Sequence, residues 1–186
     1  MAITPKTAGA WAAGTTSVAP ALPSSPGQHT RMVLFVGCKP FGATIVTPTG
    51  WTALAAGGGA NGSTAAGADT GSVLWATFWR DWVSGDAAPT VSITSGDTSL
   101  GVINGFDKHP EQVWADPVAG KGSDTTSGTG YSITSDVDVG IIVEDYVLHG
   151  SVIAGNNSTF GTPTLTATSC RNKLVEAYQD IMRMLI

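Results

Sequence analysis

The apolar residues of this chain come in short runs, and turn formers interrupt each run before an amphipathic helix could develop. "TRMVLFVGC" is followed by "KPFG", "WTALAA" by a glycine run, and "SVLWATFWRDW" by "SGDAAP". "TVSIT", "LGVINGF", "QVWA", "YSIT", "VGIIVEDYVL" and "PTLTATS" come after them, each bounded by Gly, Pro, Asp or Asn. Runs of this length and spacing predict a sandwich or barrel of roughly eight to ten strands. They leave no room for the crossover helices of a parallel sheet.

Composition agrees with that reading. The chain has 24 Gly and 10 Pro, and only 12% of its residues are charged, about half the usual share. Disorder is excluded, because 42% of residues are hydrophobic and six are Trp, enough apolar surface to offset the entropy of ordering. The expected fold is all-β, an antiparallel β-sandwich of the jelly-roll kind. A length of 186 residues suits one such domain.

Residues 72–82, "SVLWATFWRDW", place three Trp at helical intervals, yet the segment starts after "GADTGS", stops at "SGD" and is rich in β-formers. It is expected to be a central strand. Val73, Trp75, Thr77 and Trp79 then share one face, and Leu74, Ala76, Phe78, Arg80 and Trp82 the other.

The two ends differ from the middle. Residues 1–13 read as an extended arm carrying Trp11, residues 14–170 as the sandwich, and residues 171–186 as a docking segment. In "RNKLVEAYQDIMRMLI" the residues Leu174, Tyr178, Ile181, Met182 and Leu185 follow a 3.6-residue period. Taken alone the segment is a helix, with an edge strand as the other reading. Its apolar face needs a cover on the domain or on a neighbouring subunit. Trp11, Tyr178, Ile181, Met182 and Leu185 are therefore the candidate partner-binding residues.

Charge and motifs exclude several functions. A net charge of −5 and a pI near 4.9 disfavour a nucleic-acid partner. No apolar run is long enough to span a bilayer, and no basic, apolar leader opens the chain, so a cytoplasmic product with no membrane partner is expected. Cys38 and Cys170 have no CxxC context and are expected as reduced thiols, with a disulfide as the alternative. "GGGANG" at 57–62 matches GxGxxG, but no helix follows it, so a flexible hairpin or loop is expected there. His29, His109 and His149 lack metal-ligand spacing. Asp136 and Asp138 lack the further donors of a calcium loop, and Glu144 and Asp145 fall on opposite strand faces. No GxSxG elbow occurs. No catalytic residue, metal or cofactor is expected, and the protein reads as a non-enzyme. Trp51, Trp82 and Trp114 sit at strand ends; each either plugs the sandwich or stacks on a sugar, with Trp82 and Trp114 the candidates for carbohydrate.

The order of features from residue 14 to 168 resembles a pattern of tailed-phage virion proteins. It consists of a first strand, a polar link, an apolar strand, the "TPTGWTAL" turn with Pro48, Gly50 and Trp51, then the aromatic strand and its Thr/Ser-alternating partner. The resemblance implies a β-sandwich that binds other virion subunits, major capsid protein or tail proteins, and has no catalytic residues. A head decoration or cement protein, located in the virion and self-associating with a trimer as the favoured form, is the function expected on this basis. A tail-fibre or baseplate adhesin for host-surface carbohydrate is the alternative.

Overall fold

Period-two alternation in the long strands decides which residues meet. In the computed structural model, which describes residues 3–60, 72–117, 119, 148–150 and 177–179, β4 (Thr30–Lys39) lies between β7 (Ser72–Asp81) and β9 (Thr98–Asp107). Leu34 stands opposite Phe78 on one side and Ile103 on the other. Met32, Leu34, Val36 and Cys38 of β4 thus share a face with Ala76 and Phe78 of β7 and Ile103 of β9.

That face is covered by a second, smaller sheet. β3 (Ser17–Val18), β8 (Val91–Thr94) and β5 (Thr44–Ile45) pair in the order β3-β8-β5. They bring Val18, Val91, Ile93 and Ile45 into the same cluster, where Ala43 and Trp51 fill the remaining space. The large sheet runs β1-β9-β4-β7-β6, with β1 (Thr4–Pro5), β2 (Ala12–Gly14) also on β9, and β6 (Thr52–Ala60) at the far edge. Every pairing in the two sheets is antiparallel. The protein is an all-β, antiparallel β-sandwich.

The aromatic segment is an interior strand of the large sheet, bonded to β4 on one side and β6 on the other. Ala76 and Phe78 enter the core with Leu74 and Trp82 packed against it, whereas Trp75 lies with Phe35 and Val102 on the opposite face. The "TPTGW" turn closes through Trp51 N donating to Pro48 O at 3.1 Å, with Gly50 at φ +78°. A positive φ at the third turn position suits glycine.

Two expectations are corrected, and the open choice at the C-terminus is resolved at residues 177–179. The glycines at 57–59 are not loop but the second half of β6, because a strand beside bulky β7 must be nearly bare. A Cβ at Gly57 would sit 2.8 Å from Trp75 Cζ2, and one at Gly58 2.1 Å from Val73 O. "QVWA" forms no strand; Trp114 is held there by a side-chain clasp described below. At the C-terminus, β11 (Ala177–Gln179) is extended, not helical, and pairs in parallel with β10 (Leu148–Gly150). Tyr178 stands opposite His149 there, so its backbone is read by a ladder and not by a helical turn. "YSIT", "PTLTATS", His149's neighbours Glu144 and Asp145, the pair Asp136 and Asp138, and Cys170 lie outside the described residues. Among the described residues, no helix is long and apolar enough to cross a membrane.

Candidate functional site

The face of the large sheet turned away from the core carries its aromatic and polar side chains. Phe35 and Trp75 stack there with centroids 6.0 Å apart and planes 12° from parallel. Val102 is buried beside Phe35, with Ala8 and Leu100 packed against them. Gly57 makes room for the indole, as its missing Cβ shows.

At one end of this face Arg31 is gripped by several groups at once. Its guanidinium carbon lies 4.3 Å from the centroid of Trp79 and 4.9 Å from that of Trp114. Nε and a terminal nitrogen donate to the two carboxylate oxygens of Asp81 at 2.7 and 3.1 Å, and the other terminal nitrogen donates to Ala115 O. A planar guanidinium suits this combination of fork and stacking, which a lysine could not reproduce. The clasp fastens residues 114–115 to the sheet. The preceding turn is closed by Gln112 N donating to His109 O and by His109 N donating to Gln112 Oε1.

At the same end, on the core side, Thr30 and Lys6 both bond to Asp107, the Lys6 pair at 2.9 Å. Burial alone would raise the Asp107 carboxyl; the hydrogen bonds from Thr30 and Lys6, with the charges of Lys6 and His29, hold it below its usual value. Arg80 pairs with Asp86 at 2.8 Å. Cys38 is wholly buried and its thiol is pushed up to about 11 by that burial. Among the described residues no three His, Cys, Asp or Glu side chains gather as for a metal. These ion pairs bind segments of the chain together.

The structure separates the residues singled out from sequence. Trp11 projects from the chain between β1 and β2 and is 70% exposed. Trp82 packs against the core, and Trp114 lies on the opposite face, one side of its ring occupied by Arg31. The indole nitrogens of both are buried without a partner. The two therefore form no common stacking platform. Trp51 is a core residue. Tyr178 is on β11, while Ile181, Met182 and Leu185 lie outside the described residues. The Arg31 clasp was not anticipated: its partner Asp81 is 50 residues away, and only the β4–β7 register joins them. An Arg opening one apolar strand and an Asp closing another, on faces of the same parity, is the signal that was there to read.

With this geometry in place, the comparisons can be stated. Residues 142–186 are similar to the family of the flagellar hook-basal body complex protein FliE. The match spans about a quarter of the chain. No curated protein and no solved structure matches. The FliE match overturns the phage reading in all its parts: the virion resemblance, the capsid decoration or cement role, the adhesin alternative and the virion location. The physical reason for the error lies in the features that carried the resemblance. Pro48 and Gly50 make a turn, Trp51 fills a core, and β7 and β8 face each other across it. Any sandwich built this way needs them, so they report a fold and not a family.

Proposed function

We propose that this protein is a non-enzymatic structural subunit of the flagellar hook-basal body, whose C-terminal portion enters the assembly while the sandwich forms a rigid body beside it. The observation that carries this reading is the FliE match over 142–186. The same stretch holds Tyr178, Ile181, Met182 and Leu185, large apolar residues available for burial against a partner. The described body supports a scaffold role, since Arg31, Arg80 and Lys6 all end in ion pairs within the chain. A net charge of −5 argues against a nucleic-acid partner.

Docking of this kind is driven by burial, and each large aliphatic side chain taken from water contributes about 2 kcal/mol. The test is co-sedimentation of the full chain with purified hook-basal bodies. Ile181→Asp and Leu185→Asp should each weaken retention by about thirtyfold, while Val46→Asp on the sandwich surface should not. Absence of co-sedimentation, or retention that both tail substitutions leave intact, would refute the proposal.

A further inference from the structure

Residues 4–14, the strands β1 and β2 with the link between them, are held in a slot. On one side they follow β9: Thr4 pairs with Asp107, Pro5 with Phe106, Ala12 with Gly101 and Gly14 with Ser99. Between those pairs Lys6 N donates to Gly105 O and Gly9 N to Ile103 O. On the other side Ala21 N donates to Ala10 O and Ser24 N to Thr7 O. The slot is shaped for this segment. A Cβ at Gly9 would lie 1.9 Å from Ala21 O, and Lys6 meets Asp107 at 2.9 Å.

We propose that this segment is exchangeable, and that the slot beside β9 is a docking site for residues 4–14 of a second copy of the chain. Two features set the segment apart from the other strands. Its apolar anchorage is slight, since Ala8 and Ala12 alone of its side chains pack against the buried clusters and Trp11 stays 70% exposed. What holds it is backbone hydrogen bonding, the Ser99 hydroxyl donating to Gly14 O and to Thr15 O at the hinge, and one ion pair; backbone bonding is the means by which an added strand binds a sheet. The second feature is the hinge. Only Thr15 and Thr16, both exposed, separate β2 from β3, and the turn they make is tight, with a Cβ at Gly14 falling 1.9 Å from Ser17 O. Straightening that turn carries the segment away from its own slot, and an identical slot on a neighbour offers the same bonds. In dilute solution the tether keeps each strand at home, and in an assembly the local concentration of neighbours favours exchange. The inference does not depend on which assembly holds the protein.

A charge swap tests it on full-length chains. In Lys6→Asp the arm meets a like charge at Asp107, and in Asp107→Lys the slot meets a like charge at Lys6. When the two variants are mixed, exchange places the substituted arm of the first on the substituted β9 of the second, and native Lys6 on native Asp107. The mixture should therefore give a 1:1 species of twice the 18.9 kDa chain mass, or an even multiple of it, by light scattering, while each variant alone gives none. The double variant, which restores the pair within one chain, should match the native protein. If either single variant is insoluble alone, co-refolding is read instead, and recovery of soluble protein from the mixture only is the expected result. A mixture that elutes as its separate components, or that refolds no better than they do, overturns the proposal.

Discussion

Cys38 stands in the middle of the core with no exposed surface, next to Val36 on β4 and opposite Leu74 on β7. A thiolate there would be stripped of water without a partner charge, which is why its pKa rises to about 11. Because the folded state favours the protonated thiol, its contribution to stability is complete below the unfolded value of about 9 and is lost as pH rises towards 11. In a Cys170→Ser chain, a thiol reagent at pH 8 should leave Cys38 unmodified for hours and label it at once in denaturant. Rapid labelling of the folded chain would contradict its place in the core. The reduced thiol was an expectation from composition and context, whereas its inertness needed the fold. Arg31 is the reverse case. Its position at the head of an apolar strand is visible in the sequence, but the Trp79 and Trp114 rings that enclose it come from two other segments, and no local pattern announces that meeting.

At the level of elements, the glycine half of β6 decides how the aromatic strand can be covered. Gly58 has φ +153° and its missing Cβ would stand 2.1 Å from Val73 O, so Gly58→Ala should destabilise by about 2 kcal/mol or more. Gly42, where a Cβ would meet nothing within 4 Å, is the control, and Gly42→Ala should stay within about 0.5 kcal/mol of the native protein. Denaturant unfolding of both variants measures the difference, and equal midpoints would show that the close approach of β6 to β7 is wrong. The strands themselves were legible where alternation is strong. β7 and β8 fall inside "SVLWATFWRDW" and "TVSIT", and β4 and β9 run one or two residues past the ends of "TRMVLFVGC" and "LGVINGF". Gly57 to Gly59 were not, because glycine in a sequence marks turns and close approaches alike, and the ring that demands the close approach is Trp75, across the sheet. "QVWA" looked like a strand for the opposite reason: Trp114 serves a clasp and not a ladder, and Val113 is exposed. Tyr178 shows the limit of periodicity, which counts apolar spacing but not backbone pairing with a distant strand, here β10.

For the whole molecule, the layering predicts an order of opening. β4 is bonded along its full length to β7 and β9, and nearly all its residues are buried. Each of its amides bonds to β7 or to β9, and neither neighbour can leave without opening the core, so they should exchange only through global unfolding. The segment 4–14 is bonded to β9 and to residues 21–24, but contributes little to either apolar cluster. Releasing it exposes little apolar surface, so it should open while the two sheets stay packed on Met32, Leu34, Phe78 and Ile103. Native-state hydrogen exchange should therefore give Met32 to Val36 the largest protection and Lys6 and Gly9 protection smaller by at least a hundredfold, a gap of about 2.7 kcal/mol. In β9 the amides that bond to β4 should follow the core, so the boundary between the two regimes runs through the sheet along one side of that strand. Uniform protection of Lys6, Gly9 and Leu34 would mean that the arm and the core unfold as one unit, and a strand that leaves only when the sandwich melts could not pass from one copy to the next.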